Sequence, residues 1–425
     1  MTVPRRIAGI LLITLVATVV GATRGAADED APPASSAADT ALVTQADLAR
    51  VLEGYTEQIQ AMTADLDKLK KFKWSGYVQA RWETGEASSD SVKVAGSPYT
   101  VTSPNLNRFY LRRARLKLAY DTGALSQAVV YVDAGADRAV KLLEAYVTLL
   151  DPWTPLHDHQ LTIGQFNVPF GFEIERSSST RELPERSRAE NVLFSGERDR
   201  GVKLVSQWTE RLQTSAALLN GGGVNSTDFP ATDPTRGKDF VARARWSQGT
   251  FDVAGSYYFG RHLVPLTGAD VQTEKSRVGL DAQAYFTLPV VGGGTLRGEW
   301  YAAHEANPDS AKALIVAPTS ANPVRLLKPG ADPDHLATDA AGGYLMWVQN
   351  AGDRVQGVVR WDRWDPNVDA DHDQYSRWSV GANWFWDGFT RISLAYDAIR
   401  TETKSGARWT DPHDNLWTLQ VQHKF

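Results

Sequence analysis

Arg113, Arg115 and Lys117 stand two residues apart in the run Arg108-Phe-Tyr-Leu-Arg-Arg-Ala-Arg-Leu-Lys117. On an extended backbone that period puts all three on one side. A planar guanidinium donates two parallel bonds to an oxyanion, so such a row suits phosphate-like groups. The chemistry on offer is non-covalent, a charged path and not a reacting centre. A second charged cluster fills 169–197, which opens Pro169-Phe-Gly-Phe172. It mixes Glu173, Glu175, Glu182, Glu185, Glu190 and Glu197 with Arg176, Arg181, Arg186 and Arg188. Acids held opposite an arginine row would set up a transverse field that orients solutes; a solvated loop would have the same composition.

Other chemical signals are weaker. The glycine runs 221–223 and 292–294 lack the following Lys-Ser/Thr of a phosphate loop and read as turns. His157-Asp158-His159 reads as a solvated turn before it reads as metal ligands. Asp369, Asp371 and Asp373 alternate as in a calcium loop but lack its glycine and terminal glutamate, leaving at most a divalent bridge to surface lipid. No Ser-His-Asp spacing stands out among eight histidines. No catalytic residue, metal or cofactor is expected.

The elements that must position the arginines are strands. Alternation takes over from Lys73, with candidate strands at 73–83, 107–120, 124–135, 140–150, 158–168, 198–208, 211–219, 239–248, 250–260, 275–287, 294–304, 340–349, 353–363, 375–386, 389–400 and 414–425. The connections alternate long and short: 84–106 then 121–123, 169–197 then 209–210, 220–238 then Gly249, 305–339 then 350–352; only 136–139 breaks the long series. Strands of bilayer-crossing length, even in number and with loops sorted to one side, predict an all-β, sixteen-stranded antiparallel transmembrane barrel over 73–425. Phe240, Ala242, Ala244 and Trp246 would face lipid, as would Trp378, Val380, Ala382, Trp384 and Trp386. A barrel this wide cannot fill its interior with side chains, so a water channel is expected.

In that register the inward bases are Arg81, Arg113, Arg115, Lys117, Lys203, Arg243, Arg245, Arg277, Arg297, Arg354, Arg360, Arg377 and Arg391. The inward acids are Glu83, Asp133, Glu144, Asp252, Asp281, Glu299, Asp362 and Asp397. The excess of bases favours anions. The competing reading is a lumen of mixed, mutually paired charge kept for solubility.

The last strand, Trp417-Thr-Leu-Gln-Val-Gln-His-Lys-Phe425, alternates in the same way apart from His423, and Phe425 is the kind of terminal aromatic that barrel-assembly machinery reads. At the other end, Arg5 and Arg6 precede an apolar stretch, 7–22, and the small residues Gly25-Ala-Ala27. Residues 1–27 therefore read as a secretory signal, and 28–41 as a flexible linker. Removing a segment with three arginines and no acid takes the formal charge from −5 to −8, which argues against nucleic acid as partner. The absence of cysteine fits export. Mean hydropathy is −0.33, and only the N-terminus holds a long apolar run. In 42–72, Leu48, Leu52, Tyr55, Ile59, Met62, Leu66 and Leu69 recur at spacings of four and three, the seam of a short coiled coil. This is expected to be a periplasmic oligomeric stalk, with Tyr55 and Met62 leaving the strand number open.

Four runs carry a family resemblance: Arg108 to Lys117, Gly164-Gln-Phe-Asn-Val-Pro-Phe-Gly171, Arg198-Asp199-Arg200-Gly201 and Asn220-Gly-Gly. In type and order they are similar to motifs of the phosphate-selective porin O/P family, all within 107–247. The resemblance implies a homotrimeric bacterial outer-membrane channel surrounded by lipid and lipopolysaccharide. It also implies a constriction made by the third long loop and an arginine ladder leading anions such as phosphate to it. Arg112, Arg113 and Arg115 resemble ladder positions, with Arg243 and Arg245 as further candidates. The best-known members concentrate lysine near the constriction, whereas 169–197 holds six glutamates and no lysine. A general or sugar-passing porin, or a structural or adhesin barrel plugged by its own loops, remains the alternative.

Overall fold

Alternation at period two leaves each segment one wet and one apolar face, and the segments satisfy their backbone groups only by pairing with one another. In the computed structural model sixteen of them do so in one closed antiparallel barrel. The structure describes residues 45–86, 92–93, 100–101, 107–135, 139–224, 233, 235–264, 266–267, 271–307, 313–316, 326–405, 408–411 and 414–425. The expected signal and linker lie outside them. The barrel strands are β1 (Phe72–Gly85), β2 (Asn107–Asp121), β3 (Ser126–Asp133), β4 (Lys141–Leu150), β5 (His159–Asn167), β6 (Arg198–Gln207), β7 (Leu212–Leu219) and β8 (Asp239–Gln248). They continue as β9 (Phe251–Val264), β10 (Val271–Leu288), β11 (Gly292–Ala306), β12 (Ala337–Ala351), β13 (Val355–Asp365), β14 (Tyr375–Phe385), β15 (Thr390–Thr401) and β16 (Leu416–Lys424). Each pairs with its chain neighbours, and β1 with β16 closes the ring. All sixteen candidate strands are present, with ends shifted by a few residues. Three two-stranded hairpins in the long connections were not anticipated.

The faces sort as alternation requires. Phe240, Trp246, Trp378, Val380, Trp384 and Trp417 are exposed on the outer wall, while their neighbours Arg243, Arg377, Ser379 and Thr418 are buried inside. Aromatic rings gather at both rims: Trp384 and Trp386 lie 4.9 Å apart at the short-turn end, and Tyr396 and Trp417 lie 4.7 Å apart at the long-loop end. His423, out of pattern on sequence, sits near the short-turn rim, its Nδ1 2.9 Å from the Thr390 hydroxyl. Arg354, expected to face inward, is exposed in the turn between β12 and β13. A turn residue there is no longer held to the pleat, so strand alternation does not set its direction.

Two bulges modify the pattern. In β2, Gln79 pairs with Arg113 and Ala80 with Leu111, leaving Arg112 as an extra residue. The bulge reverses parity, since Phe109 and Leu111 are exposed before it and Leu116 and Leu118 after it. Strict alternation over 107–120 would have sent Arg112 outward; the bulge turns it the same way as Arg113. In β4 the extra residue is Leu143. The Gln165 amide donates to the Leu142 and Leu143 carbonyls at 2.9 and 2.8 Å, satisfying groups that the interrupted ladder leaves over.

The chain divides into two units, 1–64 and 65–425. Helix α1 (Gln45–Lys70) is braced by Lys68–Asp65 and Lys70–Asp67 ion pairs. Its seam residues Leu52, Tyr55, Ile59, Met62, Leu66 and Leu69 are all exposed. Among the described residues no helix is long and apolar enough to cross a membrane, which says nothing of the strands.

Candidate functional site

The first part of the site is the β1–β2 wall. Arg81 on β1 and the bulge pair Arg112 and Arg113 on β2 converge on the Glu185 carboxylate. The Arg81 Nη1 to Glu185 Oε1 distance is 2.7 Å, and Arg112 Nε reaches the same oxygen at 2.8 Å. Arg112 Nη2 donates to Oε2 at 3.3 Å, and Arg113 Nη2 lies 3.5 Å from it. Below them Arg115 is paired with Asp133 at 2.7 Å and donates to the Ser178 hydroxyl at 3.0 Å. Lys117 lies 3.4 Å from Glu144.

Glu185 and Ser178 belong to 168–197, the connection from β5 to β6, which is bonded to inward side chains around the barrel. Its start is held by Glu299 on β11. The Phe172 and Glu173 amides donate to that carboxylate at 2.8 and 2.9 Å, and the Tyr301 and Tyr344 hydroxyls each donate at 2.6 Å. Phe170, Ile174, Leu193 and Phe194 form an apolar core with Tyr258, Tyr301, Ala303 and Trp364 of the wall. The short helix α2 (Arg188–Leu193) starts at Ser187, whose hydroxyl accepts from the Glu190 amide. The Asp362 carboxylate on β13 accepts from the Arg188 amide at 3.2 and 3.0 Å, where a carboxylate meets a helix N-terminus. Arg360 donates to the Glu185 and Arg186 carbonyls at 2.9 and 3.3 Å, and Arg377 to the Arg186 carbonyl at 2.7 Å. Gln422 on β16 donates to the Ser179 carbonyl at 3.0 Å.

The glutamates of this segment are mostly neutralised. Burial would raise the Glu185 carboxyl, but Arg81, Arg113 and Arg112 outweigh it and hold the group well below its ordinary range. Burial likewise opposes ionisation of Glu197, yet Arg186, Arg181 and Arg198 keep its pKa at about 2. Glu182 is paired with Arg176 at 2.7 Å and Arg297 at 3.3 Å. Glu173 accepts from the Ser187 amide at 3.0 Å. Glu175 is more exposed, 3.7 Å from Arg243. Glu190 differs: burial pushes its pKa well above the ordinary value against the pull of Arg186, and the neighbouring Glu173 adds to the rise. Arg188 is exposed, its guanidinium over the Tyr375 ring.

The lumen wall repeats this pairing. Arg243 meets Asp281 at 2.5 Å, Arg245 meets Asp252 at 2.9 Å, Arg277 meets Glu305 at 2.7 Å and Arg377 meets Asp362 at 2.6 Å. A cavity of about 540 Å³ lies between β1–β6, the end of β16 and residues 175–179. Arg115, Lys117, Arg176, Arg198, Lys203 and Lys424 line it, against Glu144, Glu175 and Glu197. Lys203 lies 4.9 Å from the centre of the Phe166 ring. Among the described residues, neither Lys203 nor Lys424 has a carboxylate within ion-pair distance.

The sequence motifs prove to be joints. Asp199 Oδ2 accepts from the Gly221 and Gly223 amides at 2.7 and 3.3 Å, so the Arg198–Gly201 and Asn220-Gly-Gly runs lock each other. A Cβ on Gly201 would fall 2.0 Å from the Leu218 carbonyl oxygen, and one on Gly164 2.3 Å from that of Ala145. Arg198 pairs with Glu144 at 3.3 Å, and Arg200 is half-buried within β6. Phe425 exchanges backbone bonds with Gly76 at 2.9 and 3.0 Å. The hub Glu185 and the anchor Glu299 had no distinguishing mark on sequence. The arginine doublet at 112–113, odd in an alternating strand, was the one available hint.

No curated protein sequence matches the chain. Three solved structures share the fold at low identity. DcaP, an outer membrane channel of Acinetobacter baumannii, is 11% identical with a TM-score of 0.56, covering 83% of this chain and 97% of that one. An anion-selective porin from Comamonas acidovorans is 11% identical with a TM-score of 0.55, covering 83% and 99%. OmpT of Vibrio cholerae, in its trimer form, is 9% identical with a TM-score of 0.55, covering 83% and 99%. The family model described as phosphate-selective porin O and P matches residues 95–284, and the barrel that contains this span shares its fold with solved outer-membrane porins.

Proposed function

We propose that this protein is a diffusion channel of the bacterial outer membrane that favours small anions, phosphate-like oxyanions among them, and performs no covalent chemistry. The observation that carries the reading is the cavity beside 175–179, where six basic side chains meet three acidic ones and Lys203 and Lys424 lack a carboxylate partner among the described residues. Unpaired cations in a low-dielectric cleft raise the local anion concentration. In this reading 168–197 narrows the path, and Arg112, Arg113, Arg115, Lys117, Lys203, Arg243 and Arg245 border it. The solved anion-selective porin of similar fold supports the class of solute. The dense pairing of Arg243, Arg277, Arg297 and Arg377 with carboxylates favours a second reading, passage with little charge preference.

The α1 seam suits a periplasmic coiled coil that joins copies of the chain, and a homotrimer agrees with the trimer form of OmpT. Lipid and lipopolysaccharide would surround the aromatic rims, and the barrel-assembly machinery would insert the chain through its last strand. Reversal potentials in a potassium chloride gradient across a planar bilayer test the proposal. An anion-selective value is expected, and K203Q/K424Q should move it toward zero. A cation-selective wild type overturns the reading, and an absence of conductance steps means a plugged barrel.

A further inference from the structure

Three guanidiniums from two adjacent strands around one carboxylate is the arrangement an oxyanion site adopts, and here a side chain of the protein fills it. Glu83 also lies 3.3 Å from Arg81, so the cluster carries three positive charges against two and keeps a net attraction for anions. It is also reachable from one side. The Glu185 and Arg112 side chains are 29% and 33% exposed, whereas Arg81 and Arg113 are sealed at 1% and 4%. The Glu185 backbone is held independently of its carboxylate. The Pro184 carbonyl accepts from Arg81 at 2.8 Å and the Glu185 carbonyl from Arg360 at 2.9 Å. The carboxylate can therefore rotate away while the segment stays in place.

We propose that Glu185 is a built-in counter-anion, occupying the Arg81–Arg112–Arg113 cluster in competition with polyvalent oxyanions that enter the channel. This rests on the anion-channel reading and adds its specificity device. A monovalent solute offers the cluster no more charge than Glu185 does, whereas a polyphosphate offers several charges and can displace it. Glu185 thus lowers the affinity of the cluster for its solute, which keeps an anion from being trapped there, since conduction needs binding weak enough to release.

The test measures block of chloride current by tripolyphosphate in single channels. Glu185→Gln keeps an oxygen acceptor for the arginines but removes the charge. It should lower the blocking concentration about tenfold or more and shift the reversal potential further toward anions. Adding R112Q and R113Q to E185Q should abolish the tighter block. Glu185→Asp, which keeps the charge, should block as the wild type does. Equal blocking concentrations in the wild type and E185Q overturn the proposal, and so does an E185D channel that behaves as E185Q, because the effect would then be displacement of the segment. A cation-selective wild type instead overturns the anion-channel reading, and the two failures are read from different channels.

Discussion

Single residues in 168–197 do different work despite their common charge. Glu185 is ionised by three arginines, whereas Glu190 is buried beside Glu173 with its pKa pushed up. The raised pKa of Glu190 has a signed consequence. Below its ordinary value of 4.5 both folded and unfolded forms hold the proton, and the residue adds no pH dependence. Above that value the unfolded chain releases the proton first, so the folded segment loses stability as pH rises toward the elevated pKa. Glu190→Gln removes this loss. Amide exchange across Arg188–Leu193, corrected for intrinsic rate, should be slower in E190Q than in the wild type, with a margin that widens from pH 5 to pH 8. A margin that stays constant would show that Glu190 is not the titrating group.

At the scale of elements, β2 carries the most informative irregularity. The bulge at Arg112 adds one inward arginine without disturbing either face, because the residues on both sides of it already alternate correctly. Deleting Arg112 should therefore restore a regular ladder. We expect that variant to fold and to melt within about 5 °C of the wild type on heat-modifiability gels. Deleting Ala114 instead restores the same spacing between Leu111 and Leu116 but turns Arg113 toward lipid, and that variant should melt well below the Arg112 deletion. Equal behaviour of the two deletions would refute this parity account. The turn at Asn220-Gly-Gly, locked to β6 by Asp199, shows the same economy, since both motifs serve the barrel wall.

At the scale of the whole molecule, an apolar exterior and a charged interior invert the arrangement of a water-soluble protein, as a closed sheet in lipid requires. The exposed seam of α1 is the face that the proposed coiled coil would use. Three heptads are marginal alone and become stable only when copies are already held together. Removing 45–70 should lower the temperature at which the oligomer dissociates while single-channel conductance stays unchanged. An unaltered dissociation temperature would mean that the seam does not assemble the channel.

All sixteen strands, the sorting of loops and the lipid faces were legible in the sequence, because a two-residue period and turn spacing are local properties. So were most inward bases, Arg243 and Arg377 among them, once that period was known. The bulge was hidden: Arg112 and Arg113 are adjacent, and only the pairing of β1 with β2 reveals the extra residue. The partners of the arginines were hidden too. Glu185 lies 104 positions from Arg81 and 175 from the Arg360 that holds its backbone, and no local pattern encodes such distances. Residue type and period determined that this chain would place a charged wall around a lumen. Closure of the barrel and the bonds that 168–197 makes to its wall decided which of those charges are paired and which, as Lys203 and Lys424, have no carboxylate partner among the described residues.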